Sequence, residues 1–284
     1  MTSLQKIKPR SNRRDKEAMH THQAGRPIRL TVWNEGEHEV LDESVRAIYP
    51  DGMHSVIANG IKRQLGGAVE VRIALLDQAE HGLTEEVLDN TDVLTWWGHR
   101  SHDKVDGRIV ERVHDRVLGG MGLVVLHSGH ASKIFTRMMG TSGNLIWRND
   151  GERELVWSVN PNHPIAHGVP NPLIIERQEM YGEPFGIPEP DELVFISSFD
   201  GGEVFRSGCV FHRGNGRIFY FSPGDQEYPV YHHPDVQRVL ANAVQWATSP
   251  GRSEEHRHCP TYPRNWFLEN PSAVRPASAG AVTD

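Results

Sequence analysis

The strongest constraint in the sequence is a regular alternation between short apolar runs and amphipathic helical patterns. Strand-like runs occupy residues 28–33, 68–76, 92–97 and 123–126, and helical patterns separate them. The run at 123–126 has no polar alternation, as expected for a strand covered on both faces of a parallel sheet. Because parallel strands are joined by right-handed helical crossovers, this order predicts a flavodoxin-like α/β fold. We expect a doubly wound, mostly parallel sheet with helices on both faces.

The helical patterns have recognisable ends. One helix is expected to begin at Asp51, a good capping residue, and to end at the glycine pair that starts with Gly66. A second pattern covers residues 105–117, where valine and isoleucine recur every four positions on one face. A last helix is expected to start near Pro234, a favourable first-turn residue, and to end before Pro250.

The middle of the chain has a different character. Between residues 153 and 222, short strand-like runs are joined by turns rich in proline and glycine, at 155–159, 173–175, 193–199, 209–212 and 217–221. We expect these runs to add antiparallel edge strands to the same sheet. The predicted organisation is therefore a basic, disordered leader (1–26), one α/β domain (27–249) and an irregular C-terminal arm (250–284).

Charge and composition exclude several classes of protein. The net charge is -7, although residues 1–29 hold eight basic and two acidic side chains, so the body of the chain is acidic. An acidic body argues against nucleic-acid binding, and no apolar run is long enough to predict a membrane span. Cys209 and Cys259 form no ligand or disulfide pattern, which favours a reducing, cytoplasmic location. Trp266 and Phe267 in the arm predict docking on the body or on a second subunit of a homo-oligomer.

The chain has 17 histidines, and many of them follow predicted strands. Ligands bind outside the carboxyl ends of the strands in an open parallel sheet, so we expect these side chains to converge there. The residues concerned are Asn34, Glu35, Glu37 and His38 after the first strand, His99 and His102 after the third, His127 and His130 after the fourth, and Asp225, Glu227, Tyr231, His232 and His233 after the last.

Imidazole and carboxylate groups at one rim suit two kinds of chemistry. They bind zinc or a similar divalent ion, and histidine also serves as a general acid or base near neutral pH. Our predicted metal ligands are His38, His99 and His127. No GxGxxG motif follows the first strand, so we expect neither a nicotinamide nor a flavin cofactor.

The segment Val125-Leu-His-Ser-Gly-His130 resembles the strand–turn–helix elbow that carries a nucleophile in several enzymes. In class I glutamine amidotransferases the turn reads Gly-x-Cys-x-Gly-His. Aligning Gly129-His130 with that Gly-His places His127 at the cysteine position and Ser128 one residue later. The resemblance implies an amidotransferase-like fold without the glutaminase reaction, and it leaves Ser128 open as a nucleophile displaced from the apex.

Six motifs in order are similar to those of the ThuA-like (trehalose utilisation) family over about residues 27–249. They are Trp33-Asn-Glu-Gly-Glu-His38, Trp96-Trp-Gly-His99, Leu126-His-Ser-Gly129, His163-Pro-Ile-Ala-His-Gly168, Glu179-Met-Tyr-Gly-Glu183 and Ser222-Pro-Gly-Asp225. The resemblance implies a part in using trehalose and related disaccharides. It also implies association with a dehydrogenase that makes 3-keto sugars.

The leading hypothesis is therefore an enzyme that acts on a keto-disaccharide or its product. A base such as His127, Glu35 or Glu179 would remove the proton next to the keto group, while a metal or His99 polarises the carbonyl. Asp225 and His232 would orient the sugar or a histidine. The predicted substrate-binding residues are Asn34, Trp97, Ser128, His130, Tyr181 and Glu227.

Two alternatives stay open. The same residues could activate water in a metal-dependent hydrolase of another small polar substrate. The protein could also be a non-catalytic, sugar-binding or scaffolding partner of a dehydrogenase.

Overall fold

A computed structural model describes residues 26–248 of the chain. The predicted leader and C-terminal arm, with Cys259, Trp266 and Phe267, lie outside this range, apart from Arg26. The described residues form nine strands and seven α-helices. The strands are β1 (Ile28–Asn34), β2 (Val69–Leu75), β3 (Val93–Trp97), β4 (Gly122–Leu126), β5 (Ile146–Ser158), β6 (Leu173–Gly182), β7 (Glu192–Phe199), β8 (Val204–Arg213) and β9 (Gly216–Phe221).

The strands form a single mixed sheet in the order β2-β1-β3-β4-β9-β8-β7-β5-β6. The first five strands of that order are parallel, and the remaining pairs are antiparallel. The parallel half has the flavodoxin-like order, with β9 as its fifth strand, and its switch point lies between β1 and β3. The predicted fold class, including the antiparallel edge strands, is confirmed.

Helices cover both faces of the sheet. The helices are α1 (His38–Leu41), α2 (Glu43–Ile48), α3 (Met53–Leu65), α4 (Glu85–Asp89), α5 (Gly107–Leu118), α6 (Lys133–Met139) and α7 (Pro234–Ala247). Two separate apolar cores result. Buried side chains of α3 and α7 fill one face of the sheet, whereas those of α5 and α6 fill the other.

Two edge strands are much longer than predicted. The structure has β5 beginning at Ile146 and β6 ending at Gly182, whereas the predicted runs covered only 155–159 and 173–175. The added part of β5 contains Arg148, Asn149 and Glu152 among its half-exposed residues, so a search for apolar runs misses it. This hairpin is the part of the fold that the sequence pattern describes least well, and it carries several residues of the site.

One buried carboxylate ties the start of β1 to the start of β3. Asp92 accepts hydrogen bonds from the Arg29 backbone N–H at 2.9 Å and from both guanidinium groups, Arg26 at 2.6 Å and Arg29 at 2.7 Å. Burial raises the pKa of the Asp92 carboxyl, but the hydrogen bonds with the two arginines outweigh it and hold that pKa well below its usual range. The ionised form is therefore the one that the fold stabilises.

We expect Asp92→Asn to lower the free energy of unfolding by about 2 to 4 kcal/mol at pH 7, because it removes the negative charge to which both guanidinium groups donate. A carboxyl with a depressed pKa stabilises the fold above its unfolded pKa, and this contribution declines as the pH falls below about 4. Urea denaturation at pH 7 and pH 3 measures both effects. Asp200→Asn, which breaks the exposed 3.1 Å pair with Arg153, is the control, and an equal loss in the two variants would contradict the prediction.

Candidate active site at the carboxyl ends of the parallel strands

The turn after β4 places His127 at the centre of the site. The residue directly follows Leu126, is fully buried and has a φ of 48°, a left-handed backbone conformation that few non-glycine residues adopt. Gly129 is required two residues later, because a Cβ there would lie 2.8 Å from Val125 Cγ1 and 3.2 Å from the Trp96 carbonyl oxygen. The His-Ser-Gly sequence thus forms a tight turn against β3 and β4, with an imidazole at its apex.

The two ring nitrogens of His127 have different partners. Nδ1 lies 2.8 Å from the Ser222 carbonyl oxygen, which can only accept, so Nδ1 carries a hydrogen. Nε2 lies 3.1 Å from Glu179 Oε2 and 3.4 Å from Asp225 Oδ2. The hydroxyl of Tyr181 is 3.2 Å from the same nitrogen. We call His127, Glu179 and Asp225 the His127 cluster.

The charges of the cluster stabilise one another. Burial alone lowers the pKa of His127, but hydrogen bonds with Asp225 and Glu179 and the negative charge of both carboxylates raise it to about 10. Burial raises the pKa of Asp225, yet its hydrogen bond with His127 and the imidazolium charge lower it overall. Without a bound cation, the cluster is therefore an imidazolium paired with carboxylates at neutral pH.

The same geometry fits a divalent metal ion. One ligand atom from each residue of the cluster can be chosen so that the three lie within 4.8 Å of one another, and no other group of this kind occurs in residues 26–248. Asp225 Oδ2 is buried, and within the described residues it approaches no donor apart from His127 Nε2 at 3.4 Å. The hydrogen bond from Nδ1 to a carbonyl orients Nε2 as a ligand would need. Two carboxylates and one imidazole suit zinc and similar divalent ions.

The predicted ligand set of His38, His99 and His127 shares only His127 with this group. His38 and His99 instead bind each other, with 2.9 Å between His38 Nε2 and His99 Nδ1. Glu179 and Asp225 take their places beside His127. The reason is topological: Glu179 reaches the site from β6 at the far edge of the sheet, which strand-end reasoning about the parallel half does not consider.

Glu35 organises the loop after β3. Its carboxylate accepts hydrogen bonds from the backbone N–H groups of His99, Arg100 and Ser101 at 2.8, 3.1 and 3.1 Å. It also lies 3.4 Å from His38 Nε2. Glu35, one of the three predicted bases, thus has its carboxylate turned towards the backbone of the loop after β3.

His99 is held as a neutral imidazole. Burial, followed by the positive charges of His127 and His38, lowers its pKa to about 4. The Glu35 carboxylate beside His38 Nε2 favours a hydrogen on that nitrogen, so His99 Nδ1 accepts the bond between the two rings. The remaining nitrogen, His99 Nε2, then carries a hydrogen that it can donate to a ligand.

A cavity of about 360 Å³ opens next to the cluster. Six of the predicted site residues line it, namely His99, Ser128, His130, Glu179, Tyr181 and Glu227. His130 donates from Nδ1 to the Gly143 carbonyl at 2.7 Å. Burial lowers its pKa to about 3, so its ring is neutral. The Ser128 hydroxyl is buried and has no hydrogen-bond partner in the described part of the chain.

Three predicted site residues have other positions. His232 donates from Nε2 to the Ile48 carbonyl at 3.0 Å and stacks on another aromatic ring, and it does not line the cavity. Trp97 is fully buried and donates to the Gly224 carbonyl, so it presents no face to a sugar. Asn34 is also fully buried, and its side chain accepts from the backbone of the loop that follows β1.

The cavity is also lined by residues that were not among the predicted site residues. Trp147, Asn149 and Gln226 line it, as does His102, whose position after the third strand was noted. Trp147 and Asn149 lie in the part of β5 that the apolar-run criterion missed. The two residues are two positions apart, which places their side chains on one face of a strand. This spacing is the sequence signal from which they could have been predicted.

A family model described as ThuA, trehalose utilisation, matches residues 29–247. The chain belongs to the ThuA family. This confirms the predicted resemblance over nearly all of the described residues. Curated proteins give no match to the sequence.

Solved structures of ThuA-like proteins share the fold. One from Parabacteroides merdae has a TM-score of 0.59 at 15% identity, covering 85% of this chain and 95% of that one. Another from Bacteroides uniformis has a TM-score of 0.56 at 16% identity, covering 80% and 96%. A cytoplasmic protein from Salmonella typhimurium has a TM-score of 0.54 at 10% identity, covering 78% and 100%. No helix between residues 26 and 248 is long and apolar enough to cross a membrane.

If the His127 cluster binds a divalent ion, titration with Mn²⁺ should give one site per chain in isothermal calorimetry. We expect Glu179→Gln and Asp225→Asn each to weaken that binding by at least about tenfold, because each removes a charged ligand. Glu176→Gln is the matched control, since this exposed residue lies on the same strand. Equal affinities in all variants would contradict the assignment.

Metal affinity should rise with pH. The raised pKa of His127, about 10, means that Nε2 holds a proton at neutral pH. A metal ion must displace that proton, so the affinity should increase about tenfold per pH unit between pH 6 and 9. Calorimetry across this range, in buffers of different ionisation enthalpy, also counts the protons released. A flat profile would show that the ion binds elsewhere.

Proposed function

We propose that this ThuA-family protein is an enzyme that acts on a keto-disaccharide or its product by acid–base chemistry at the His127 cluster. The observation that carries the proposal is a buried imidazole flanked by two carboxylates, one of which opens into a cavity beside a neutral histidine. Membership of a family described by trehalose utilisation supports a sugar substrate. The elbow holds an imidazole where an amidotransferase needs a thiol, which supports a reaction other than glutamine hydrolysis.

Glu179 is best placed to act as the base. It lines the cavity, and its Oε2 is 3.1 Å from His127 Nε2. A keto group acidifies the neighbouring C–H bond, so the Glu179 carboxylate can accept that proton. The electrons of the broken C–H bond then form a carbon–carbon double bond, and the ketone oxygen becomes an enolate oxygen.

His99 is suited to stabilise the developing enolate. Its Nε2–H is available, and its low pKa keeps the ring neutral, so it donates a hydrogen bond without first transferring its proton. Glu35 and His38 hold the ring in this orientation. A metal ion bound by the His127 cluster would add Lewis-acid polarisation of the same carbonyl oxygen.

The enolate can react further in two ways, and either reaction would consume a keto sugar. For an isomerisation, the enolate oxygen takes the proton of the hydroxyl on the neighbouring carbon, and Glu179 then returns its proton to the former ketone carbon, so that the neighbouring carbon becomes the carbonyl. Expulsion of a glycosidic oxygen that is β to the ketone breaks the glycosidic bond, and the leaving oxygen then takes up a proton. Either outcome needs a supply of keto sugar, so we also propose a sugar dehydrogenase as the pathway partner. The chain has two cysteines that form no disulfide pattern, which supports a cytoplasmic location for this protein and for the dehydrogenase that supplies it.

Purified full-length protein tests the proposal with 3-keto-trehalose and trehalose as substrates. We expect turnover of the keto sugar alone, together with exchange of the proton next to its carbonyl in D₂O, followed by NMR. Glu179→Gln should lower kcat by a factor of about 100 or more, since removal of a general base typically costs 10² to 10⁴. Glu176→Gln should leave kcat unchanged.

Other results would favour the alternatives. Chelator-sensitive hydrolysis of ester or amide substrates, with no turnover of the keto sugar, would favour a metal-dependent hydrolase that activates water. Sugar binding without turnover would favour a non-catalytic partner of a dehydrogenase. Loss of exchange in Glu176→Gln to the same extent as in Glu179→Gln would show that the reaction does not depend on the cluster.

A further inference from the structure

Trp147 stands out as a large apolar side chain that the fold leaves in solvent at the mouth of the cavity. It is 65% exposed, and its indole N–H has no hydrogen-bond partner among residues 26–248. Other tryptophans in the described chain, such as Trp33, Trp96 and Trp97, are buried in the two cores. Packing and hydrogen bonding within the described chain therefore do not explain why a tryptophan occupies position 147.

The sheet register places Trp147 beside the residues of the site. It pairs with Tyr181 across the antiparallel β5–β6 hairpin, so the two side chains lie on the same face. The Tyr181 ring in turn stacks on His127, with centroids 4.8 Å apart and planes 9° from parallel. Aromatic side chains therefore lead from the exposed rim of the hairpin to the buried cluster.

Polar side chains line the cavity next to Trp147. Asn149, two residues along β5, donates to Glu227 Oε2 at 3.2 Å and accepts from the Tyr228 hydroxyl at 2.5 Å. Both Asn149 and Glu227 line the cavity. A ligand in this cavity thus meets both an aromatic surface and hydrogen-bonding groups.

We propose that Trp147 is a stacking platform that selects pyranose rings for the cavity. This inference rests on the proposed function for the reaction, but its own basis is the exposed indole and the polar side chains that line the same cavity. A pyranose has one apolar face of C–H bonds and a rim of hydroxyl groups, and indole is the aromatic side chain that offers the largest apolar surface for such a face. Linear polyols and hydroxy acids carry the same polar groups without a rigid apolar face.

The chain offers a matched control for this residue. Trp157 lies on the same strand, is 39% exposed and donates to Ser198 Oγ at 3.0 Å, and it does not line the cavity. Replacing either tryptophan by alanine removes a comparable exposed side chain from β5. Trp147→Phe provides a second comparison, because phenylalanine keeps an aromatic face with a smaller surface.

The test measures binding of trehalose, methyl α-D-glucopyranoside and sorbitol to full-length protein by calorimetry and saturation-transfer NMR. We expect Trp147→Ala to weaken binding of both pyranosides about tenfold or more and Trp147→Phe to weaken it less, while Trp157→Ala leaves it unchanged. Sorbitol, which has hydroxyl groups but no ring, should bind weakly and equally to all variants. With a keto sugar as substrate, Trp147→Ala should raise KM and leave kcat within about threefold, because the indole touches no reacting atom in this proposal.

Failure of the platform and failure of the proposed function give different results. Trp147-dependent binding of pyranosides with no turnover of keto sugar supports the platform and contradicts the proposed reaction. Turnover with an unchanged KM in Trp147→Ala overturns the platform and leaves the reaction intact. Equal losses in Trp147→Ala and Trp157→Ala overturn it, as does wild-type protein that binds neither pyranoside.

A protein interface is the competing use of this surface, because the neighbouring Ile146 is 50% exposed. Light scattering on the same variants decides between the two uses. A lower molar mass for Trp147→Ala, with unchanged binding of both pyranosides, would assign the tryptophan to subunit contact and overturn the platform.

Discussion

The site depends on one buried ion pair, in which the His127 imidazole is held between two carboxylates and a backbone carbonyl. Transferring three ionisable groups out of water is costly unless each finds a partner. Here the hydrogen bond to the Ser222 carbonyl determines which nitrogen faces the acids, and the acids in turn keep that nitrogen protonated or bound to a cation. The left-handed turn after β4 is stable in this setting because the surrounding strands hold it from both sides.

Much of the parallel half follows from the sequence alone. Strand β4 is an unbroken apolar run because helices cover both of its faces, β3 is likewise fully buried, and α3, α5 and α7 have periodic apolar faces. The convergence of Glu35, His38, His99, His127 and Asp225 at one rim follows in turn from the rule that parallel strands point the same way. The rule places side chains near an edge, but it does not say which of them touch.

The antiparallel half could not be predicted to the same degree. The polar stretch of β5 has no apolar run, and no local signal reveals that β6 lies at the end of the sheet with Glu179 and Tyr181 turned towards His127. Pairing between strands that are distant in sequence decides this, and single-sequence patterns do not contain it. For the same reason, the buried state of Trp97 and the contacts of His232 with Ile48 and Tyr49 differ from expectation, since neighbours rather than residue type determined them.

The parallel strands and the hairpin of β5 and β6 contribute different residues to the site. The parallel strands supply the elbow, the neutral histidine and its supporting loop, while the hairpin supplies the second acid, the phenol and the rim. Its strands bond to each other and to β7, so they take no part in the backbone pairing of the parallel strands, and exposed positions such as Trp147 lie outside both apolar cores. Substitutions at exposed rim positions such as Trp147 can therefore change which ligands the cavity accepts, while Glu179 on the same hairpin and the elbow after β4 stay in place.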